Sequence, residues 1–308
     1  MRVLIIEPPA LGAVGYWRLY QPLQAMRQSF NNFDFDVKQD FKEGELMMYD
    51  WLILARPSKP IEMEMIATAK KLGVKVAVDY DDDLFNIPIM HPAFDTFNDP
   101  ERKQVIATAA VTADVLWCST QSIKDSIGLD KAIVIPNAIP LYWLPEKPAP
   151  ITKSAGWRGQ PTQYTDVVLQ GWASGWYDRI KDMPDMWHWM GWKPWPLSPG
   201  TQHKVEKGTS IVKYLDYVKN AGINLMWKPL LPSVFNDGKS NIAWLEATMG
   251  GGACVTNYAG KPGWETCLPD FDFTESVIHD AWRASREKVV KDHDLYEQAC
   301  ARYACLCE

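Results

Sequence analysis

The chain has 308 residues, a formal net charge of −6 and 47% apolar residues. That length accommodates two domains of about 150 residues, each with its own core, and the acidic balance provides no global attraction to nucleic acid or an anionic membrane. No run approaches the roughly 20 apolar residues of a membrane span, and Met1-Arg-Val-Leu-Ile-Ile-Glu-Pro-Pro9 is too short and too soon acidic for a signal peptide, which predicts a cytoplasmic chain with no integral membrane association.

An apolar strand over 2–6 breaks at Glu7-Pro-Pro-Ala-Leu-Gly-Ala-Val-Gly15, and a helical pattern runs from Tyr16 to Met26. Strand, glycine loop and helix in that order place backbone N–H groups at the carboxyl edge of a parallel sheet, where phosphates or sugars bind. Gly12 and Gly15 either make a simple turn or build such a loop. They are not a dinucleotide fingerprint, because the third glycine and the acidic ribose ligand are missing.

Strands over 51–55, 75–79, 115–119 and 132–136 alternate with helical patterns at about 60–73 and 100–112, which predicts a doubly wound first domain. Asp79-Tyr-Asp-Asp-Asp-Leu-Phe-Asn-Ile-Pro88 follows one of these strands. Its carboxylates, Asp81 and Asp82 foremost, are a solvated turn, a cation site, or a set that orients acceptor hydroxyls. His91 is either a partner in that set or structural. The proline-rich run Leu144-Pro-Glu-Lys-Pro-Ala-Pro-Ile151 reads as a linker, giving domains of 1–147 and 148–308 with the last helix free to pack back on the first.

The second half restarts at Ser154-Ala-Gly-Trp-Arg-Gly-Gln-Pro-Thr-Gln163, followed by a helix to about Lys181, a strand near 186–190, a helix near 209–220 and a strand over 223–227. Trp157, Arg158 and Gly159 stand at a turn whose amides and guanidinium suit an anion; an ordinary surface turn is the alternative. Seven of the fifteen tryptophans fall between Trp157 and Trp195, and the run 183–195 reads as exposed enough to stack on sugars or an extruded base, with core packing the alternative for the rest. The six cysteines read as reduced thiols, because none forms a pair at zinc spacing with a second Cys/His pair.

Asn236-Asp-Gly-Lys-Ser-Asn-Ile-Ala-Trp-Leu-Glu-Ala-Thr-Met-Gly-Gly-Gly-Ala-Cys-Val-Thr-Asn257 carries the most information. Ser240 or Asn241 caps a helix whose first-turn N–H groups attract phosphate, Lys239 sits beside them, and Glu246 lies one to two turns inside, placed to accept from sugar hydroxyls.

This segment resembles the donor-binding segment of GT-B glycosyltransferases related to glycosyltransferase family 4. The family pattern is Glu-x7-Glu; its second Glu matches Glu246, and its first falls on Gly238. The resemblance implies an α/β GT-B fold, two doubly wound Rossmann-like domains facing a cleft. It implies Glu246 on the donor ribose, Lys239 and Arg158 on the diphosphate with Arg18 as a further phosphate partner, and a donor or acceptor role for the Gly12–Gly15 loop. Asp81, Asp82 and His91 then face the acceptor, and no metal or other cofactor is needed. Similar compact members occur in phage genomes and in surface-polysaccharide clusters. The implied acceptor is accordingly a 5-hydroxymethylated pyrimidine in DNA or a glycan, transfer proceeds with retention from a UDP- or GDP-sugar, and a non-catalytic nucleotide-sugar-binding protein remains open because the first Glu is lost.

Overall fold

A computed structural model describes residues 1–6, 13–159, 166, 185–191, 202–206 and 210–307. Two all-parallel sheets organise them. The first has six strands, β1 (Arg2–Ile6), β2 (Asp34–Lys38), β3 (Trp51–Ala55), β4 (Lys75–Tyr80), β5 (Val115–Cys118) and β6 (Ala132–Val134), in the order β2-β1-β3-β4-β5-β6. The second has five, β7 (Ser154–Gly159), β8 (Met186–Gly191), β9 (Gln202–Glu206), β10 (Leu225–Trp227) and β11 (Ala253–Val255), in the order β11-β10-β7-β8-β9. Strand order reverses between β1 and β3 in one sheet and between β7 and β10 in the other. In open parallel sheets ligands collect at the strand carboxyl ends beside such switch points.

Helices α1 (Gln21–Ser29), α2 (Pro60–Lys71), α3 (Pro100–Thr112) and α4 (Gln121–Ile127) belong to the first half; α5 (Ile211–Asn220), α6 (Ile242–Met249), α7 (Glu275–Asp292) and α8 (Leu295–Cys307) follow the linker. Their starts have local causes. Asp99 accepts from the Arg102 N–H with Pro100 as the first residue of α3, and Thr120 accepts from the Ile123 N–H to open α4. A π-helical turn, Tyr16–Tyr20, leads into α1.

Strands β1, β3, β4 and β5 are largely buried on both faces, which is why they read as continuous apolar runs. Leu4, Leu52, Leu54, Val76 and Val78 pack with Ile66 of α2 and Ile106 of α3, whereas Val3, Ile5, Trp51, Ile53 and Trp117 pack with Leu23 and Met26 of α1 and Leu295, Ala299 and Leu306 of α8. Helix α8 therefore covers the first sheet although it follows the second in sequence, and Trp51 Nε1 donates to the Leu306 carbonyl at 3.1 Å.

In the second sheet Trp157, Trp187 and Trp227 form one core with Phe271 and Ile278. On the other face Met190, Met226 and Cys254 join α5, α6 and, from the first half, Tyr16 and Trp17. The turn that delivers β11 requires glycine: Gly251 has φ +81°, and a Cβ on Gly252 would lie 2.2 Å from the Ile223 carbonyl oxygen.

Candidate functional site

The carboxyl ends of β3 and β4 lie side by side. Just past β3, Arg56 takes a left-handed backbone conformation, φ 49°, unusual without glycine. Its N–H donates to the Asp79 carbonyl at 2.9 Å, and its guanidinium meets Asp81 at 3.2 Å through Nε and Asp82 at 3.3 Å through Nη1. Burial pushes the Asp81 carboxyl up to about 6 against the pull of Arg56, with the charges of Asp82 and Asp79 adding to the rise. Burial acts to raise Asp82 as well, but Lys239 and then Arg56 outweigh it and hold that carboxyl below its ordinary range.

Lys239 reaches this cluster from the other half of the molecule. Its Nζ lies 3.0 Å from Asp82 Oδ1 and 4.6 Å from the centre of the Phe235 ring, which in turn stands 5.1 Å from the His91 ring. The Ala93 N–H donates to His91 Nδ1 at 3.2 Å, which leaves the neutral ring its proton on Nε2. Burial first, and the Lys239 charge second, lower the His91 pKa, so the ring is neutral at pH 7. Asp81, Asp82, His91 and Lys239, singled out separately along the sequence, thus share one cluster. The Thr120 hydroxyl donates to the Gly238 carbonyl at 3.3 Å beside it, and a Cβ on Gly238 would lie 3.1 Å from Ile123 Cγ1 and 3.4 Å from Asp83 Cβ. A side chain larger than glycine's is therefore crowded at this position.

Behind Lys239, Ser240 is half-buried and Asn241 occupies the N-cap of α6, but the Asn241 amide turns to the Gly263 carbonyl and caps no helix N–H. Glu246, one turn further in, is fully covered, and the Tyr214 hydroxyl of α5 donates to its Oε2 at 2.8 Å.

Arg18 is 1% exposed; it makes a two-point pair with Asp79, 2.9 Å on each oxygen, and donates to the Ile135 carbonyl at 2.6 Å, so its guanidinium serves the interior. Gly15 stands at the entry to the π-helical turn, and Gly12 lies outside the described residues. Trp157 is a core residue of β7; Arg158 and Gly159 end that strand at the switch point, with their side chains outside the described residues. The expectation of an exposed aromatic run over 183–195 is corrected where it can be seen: 186–191 is strand β8, Trp187 is fully buried, and His188 meets the Tyr217 hydroxyl at 2.6 Å, while 183–184 and 192–195 lie outside the described residues.

Three residues not singled out in the sequence belong here. Arg56 bridges Asp81 and Asp82. Lys228, just past β10 and 7% exposed, adds to the lowering of Asp82. Asp166 accepts from the Leu231 N–H at 2.9 Å and the Asn236 amide at 2.8 Å. Both cations had a readable signal, since each is the first residue after an apolar strand and is followed by proline, Arg56-Pro57 and Lys228-Pro229. Chemically, the cluster sets a hydrogen-bond acceptor for a hydroxyl beside cations that suit a phosphate.

No protein-family model and no curated relative matches the sequence. Solved structures do match in shape. Anabaena HepE in complex with UDP and glucose superposes with a TM-score of 0.66 at 10% identity, over 100% of this chain and 99% of that one. An alpha-glucosyltransferase in complex with UDP and a 13-mer DNA containing an HMU base gives 0.62 at 11% identity, over 100% of both chains. The lipopolysaccharide outer core galactosyltransferase WaaB, in its apo form, gives 0.57 at 11% identity over 98% of both. The fold is GT-B, with two parallel sheets whose strand ends face the same cluster.

Proposed function

We propose that the protein is a glycosyltransferase that moves a sugar from a UDP- or GDP-sugar, with retention of configuration, to the hydroxyl of a 5-hydroxymethylated pyrimidine in DNA. One observation carries the reading: Lys239, from the segment that resembles a donor clamp, and Asp82, from the opposite sheet, meet at 3.0 Å. A donor and an acceptor hydroxyl brought to that junction are held for reaction by position, and the departing diphosphate is stabilised by fixed cations.

In this assignment Lys239 and Arg158 take the diphosphate together with the first-turn N–H groups of α6. Glu246 takes the ribose hydroxyls alongside the bond it already accepts from Tyr214, which requires the groups that cover it to move, because the side chain is fully buried. Asp82, with Asp81 and His91 beside it, orients the attacking hydroxyl, and no metal takes part.

The DNA acceptor is supported by the full-length likeness to an enzyme solved with HMU-containing DNA. A glycan acceptor is the second reading, favoured by the likeness to the lipopolysaccharide galactosyltransferase WaaB. The test is mass spectrometry of hydroxymethylated DNA, plain DNA and simple glycans after incubation with UDP- and GDP-sugars. A hexose mass added to the hydroxymethylated DNA alone is the expected result; mass on a glycan alone selects the second reading, and donor binding with neither transfer nor donor hydrolysis leaves only a binding protein. In the donor arm, Glu246→Gln is expected to weaken UDP binding about tenfold, the worth of one hydrogen bond to a charged group.

A further inference from the structure

The two oxygens of Asp82 have different partners. Oδ1 holds Lys239 Nζ at 3.0 Å, and Oδ2 holds Arg56 Nη1 at 3.3 Å. Those partners are anchored differently. Arg56 belongs to the same sheet as Asp82, is tied to Asp79 through its backbone and engages Asp81 through Nε. Lys239 comes from the other half, between the turn Val234–Asp237 and α6, and its ammonium rests over the Phe235 ring. The Lys239 and Asp82 side chains are only 14% and 17% exposed, so this pair is not dissolved by solvent.

An ammonium has one position at a time. A nucleotide diphosphate carries more negative charge than a carboxylate and offers more acceptor oxygens, so it draws a shared lysine away. We infer that Asp82 is an internal stand-in for the donor diphosphate: donor binding transfers Lys239 from Asp82 to the phosphates, which bares Oδ1 toward the acceptor hydroxyl while Arg56 keeps Oδ2 and with it the carboxylate's orientation. Asp82 is then both a competitor for the donor's cation and the acceptor-side carboxylate, and Arg56 is the positioning residue that makes the exchange possible without leaving a buried charge unpaired. Lys228, Asp81 and His91 stand around the pair. This assignment rests on the nucleotide-sugar reading of the site.

A sign follows that distinguishes this role from direct donor contact or structural support. Removing a residue that contacts the donor, or one that merely holds the fold, weakens nucleotide binding; removing a competitor strengthens it. The experiment is calorimetric titration of UDP, and separately of GDP, into the full chain, wild type against Asp82→Asn, Asp82→Ala, Lys239→Met and the double variant Asp82→Asn with Lys239→Met. Circular dichroism and melting temperature accompany each, and the alanine variant guards against an asparagine that misfolds. The expected result is UDP binding about threefold or more tighter in the Asp82 variants, weaker binding in Lys239→Met, and no further effect of Asp82→Asn once Lys239 is gone. Unchanged or weaker binding in folded Asp82 variants, with Lys239→Met still weakened, overturns the exchange and leaves the nucleotide reading standing. Absence of UDP and GDP binding from every folded form overturns both.

Discussion

Asp81 and Asp82 are sequence neighbours with opposite electrostatic fates. Asp81 is 3% exposed and its carboxyl is pushed up to about 6, whereas the cations on Asp82 hold it down. Because the folded pKa of Asp81 is above its unfolded value, the folded state binds more protons than the unfolded state between about 4 and 6, and stability falls as pH rises through that window. Asp82 works the other way: its contribution is present above its unfolded pKa and is lost as pH falls through the depressed folded one. Asp81→Asn removes the ionisation together with its ion pair to Arg56, and because burial outweighs that pair, urea midpoints measured from pH 4 to 7 should decline less with rising pH than in wild type, with the variant at least as stable at pH 7. A steeper decline would show that Arg56 already outweighs burial at Asp81. Lys239 has a second readable effect, since its charge helps hold His91 neutral. Lys239→Met should therefore raise the His91 pKa, followed by proton NMR of the ring across pH 5–8; an unmoved titration would place Lys239 and His91 in separate environments.

At the scale of elements, a buried trio of charges binds the π-helical turn Tyr16–Tyr20, β4 and α8 together. Asp79 accepts from Arg18 at 2.9 Å on each oxygen and from Arg302 Nη1 at 3.0 Å, while the Arg302 guanidinium stands 4.5 Å over the Trp117 ring. Burial and the neighbouring Arg18 charge lower the Arg302 pKa to about 10, so it remains charged at neutral pH. Asp79→Ala leaves two guanidinium groups buried without their carboxylate and should cost about 3–5 kcal/mol in denaturant unfolding. Arg302→Met keeps the Arg18–Asp79 pair and the packing volume, so its loss should be clearly smaller. Equal losses would mean that α8 is held by this one contact and not by its apolar face. On α8 the residues Leu295, Ala299, Arg302 and Leu306 recur at helical spacing, and all four are buried. An arginine inside an apolar stripe is a local sign that a carboxylate waits in the interior, but nothing local names Asp79 as that partner.

For the whole molecule, Gly238 is one place where the two halves meet. Its carbonyl accepts from Thr120, and Ile123 and Asp83 leave a side chain little room. Gly238→Glu would restore the glutamate of the family pattern, yet it should lower stability by about 1–3 kcal/mol through overpacking and should not increase donor hydrolysis. Thermal unfolding together with UDP-glucose hydrolysis reads both effects; a folded variant with higher hydrolysis would show that the junction opens without cost and that the missing glutamate is the only thing the site lacks. Much of this organisation is written locally. Apolar strands over 2–6, 51–55, 75–79 and 115–119 and the helices between them were legible because residues buried on both faces of a parallel sheet must be apolar throughout. The edge strands β2 and β9 were not: one edge of a strand has no partner, and Asp34-Phe-Asp-Val-Lys38 carries charges at three of its five positions. The candidate site divides in the same way. Asp81, Asp82, His91, Lys239 and Glu246 stood out by residue type and by place relative to a strand end or helix start, which are properties of a few consecutive residues. That Asp82 meets Lys239, 157 positions away, that Arg18 is spent on Asp79, that Trp157 and Trp187 fill a core, and that Arg56 and Lys228 join the cluster were decided by tertiary structure. The physical reason is that a charged or aromatic side chain takes its role from what faces it, and in a fold of two parallel sheets the facing groups come from strand ends remote in sequence.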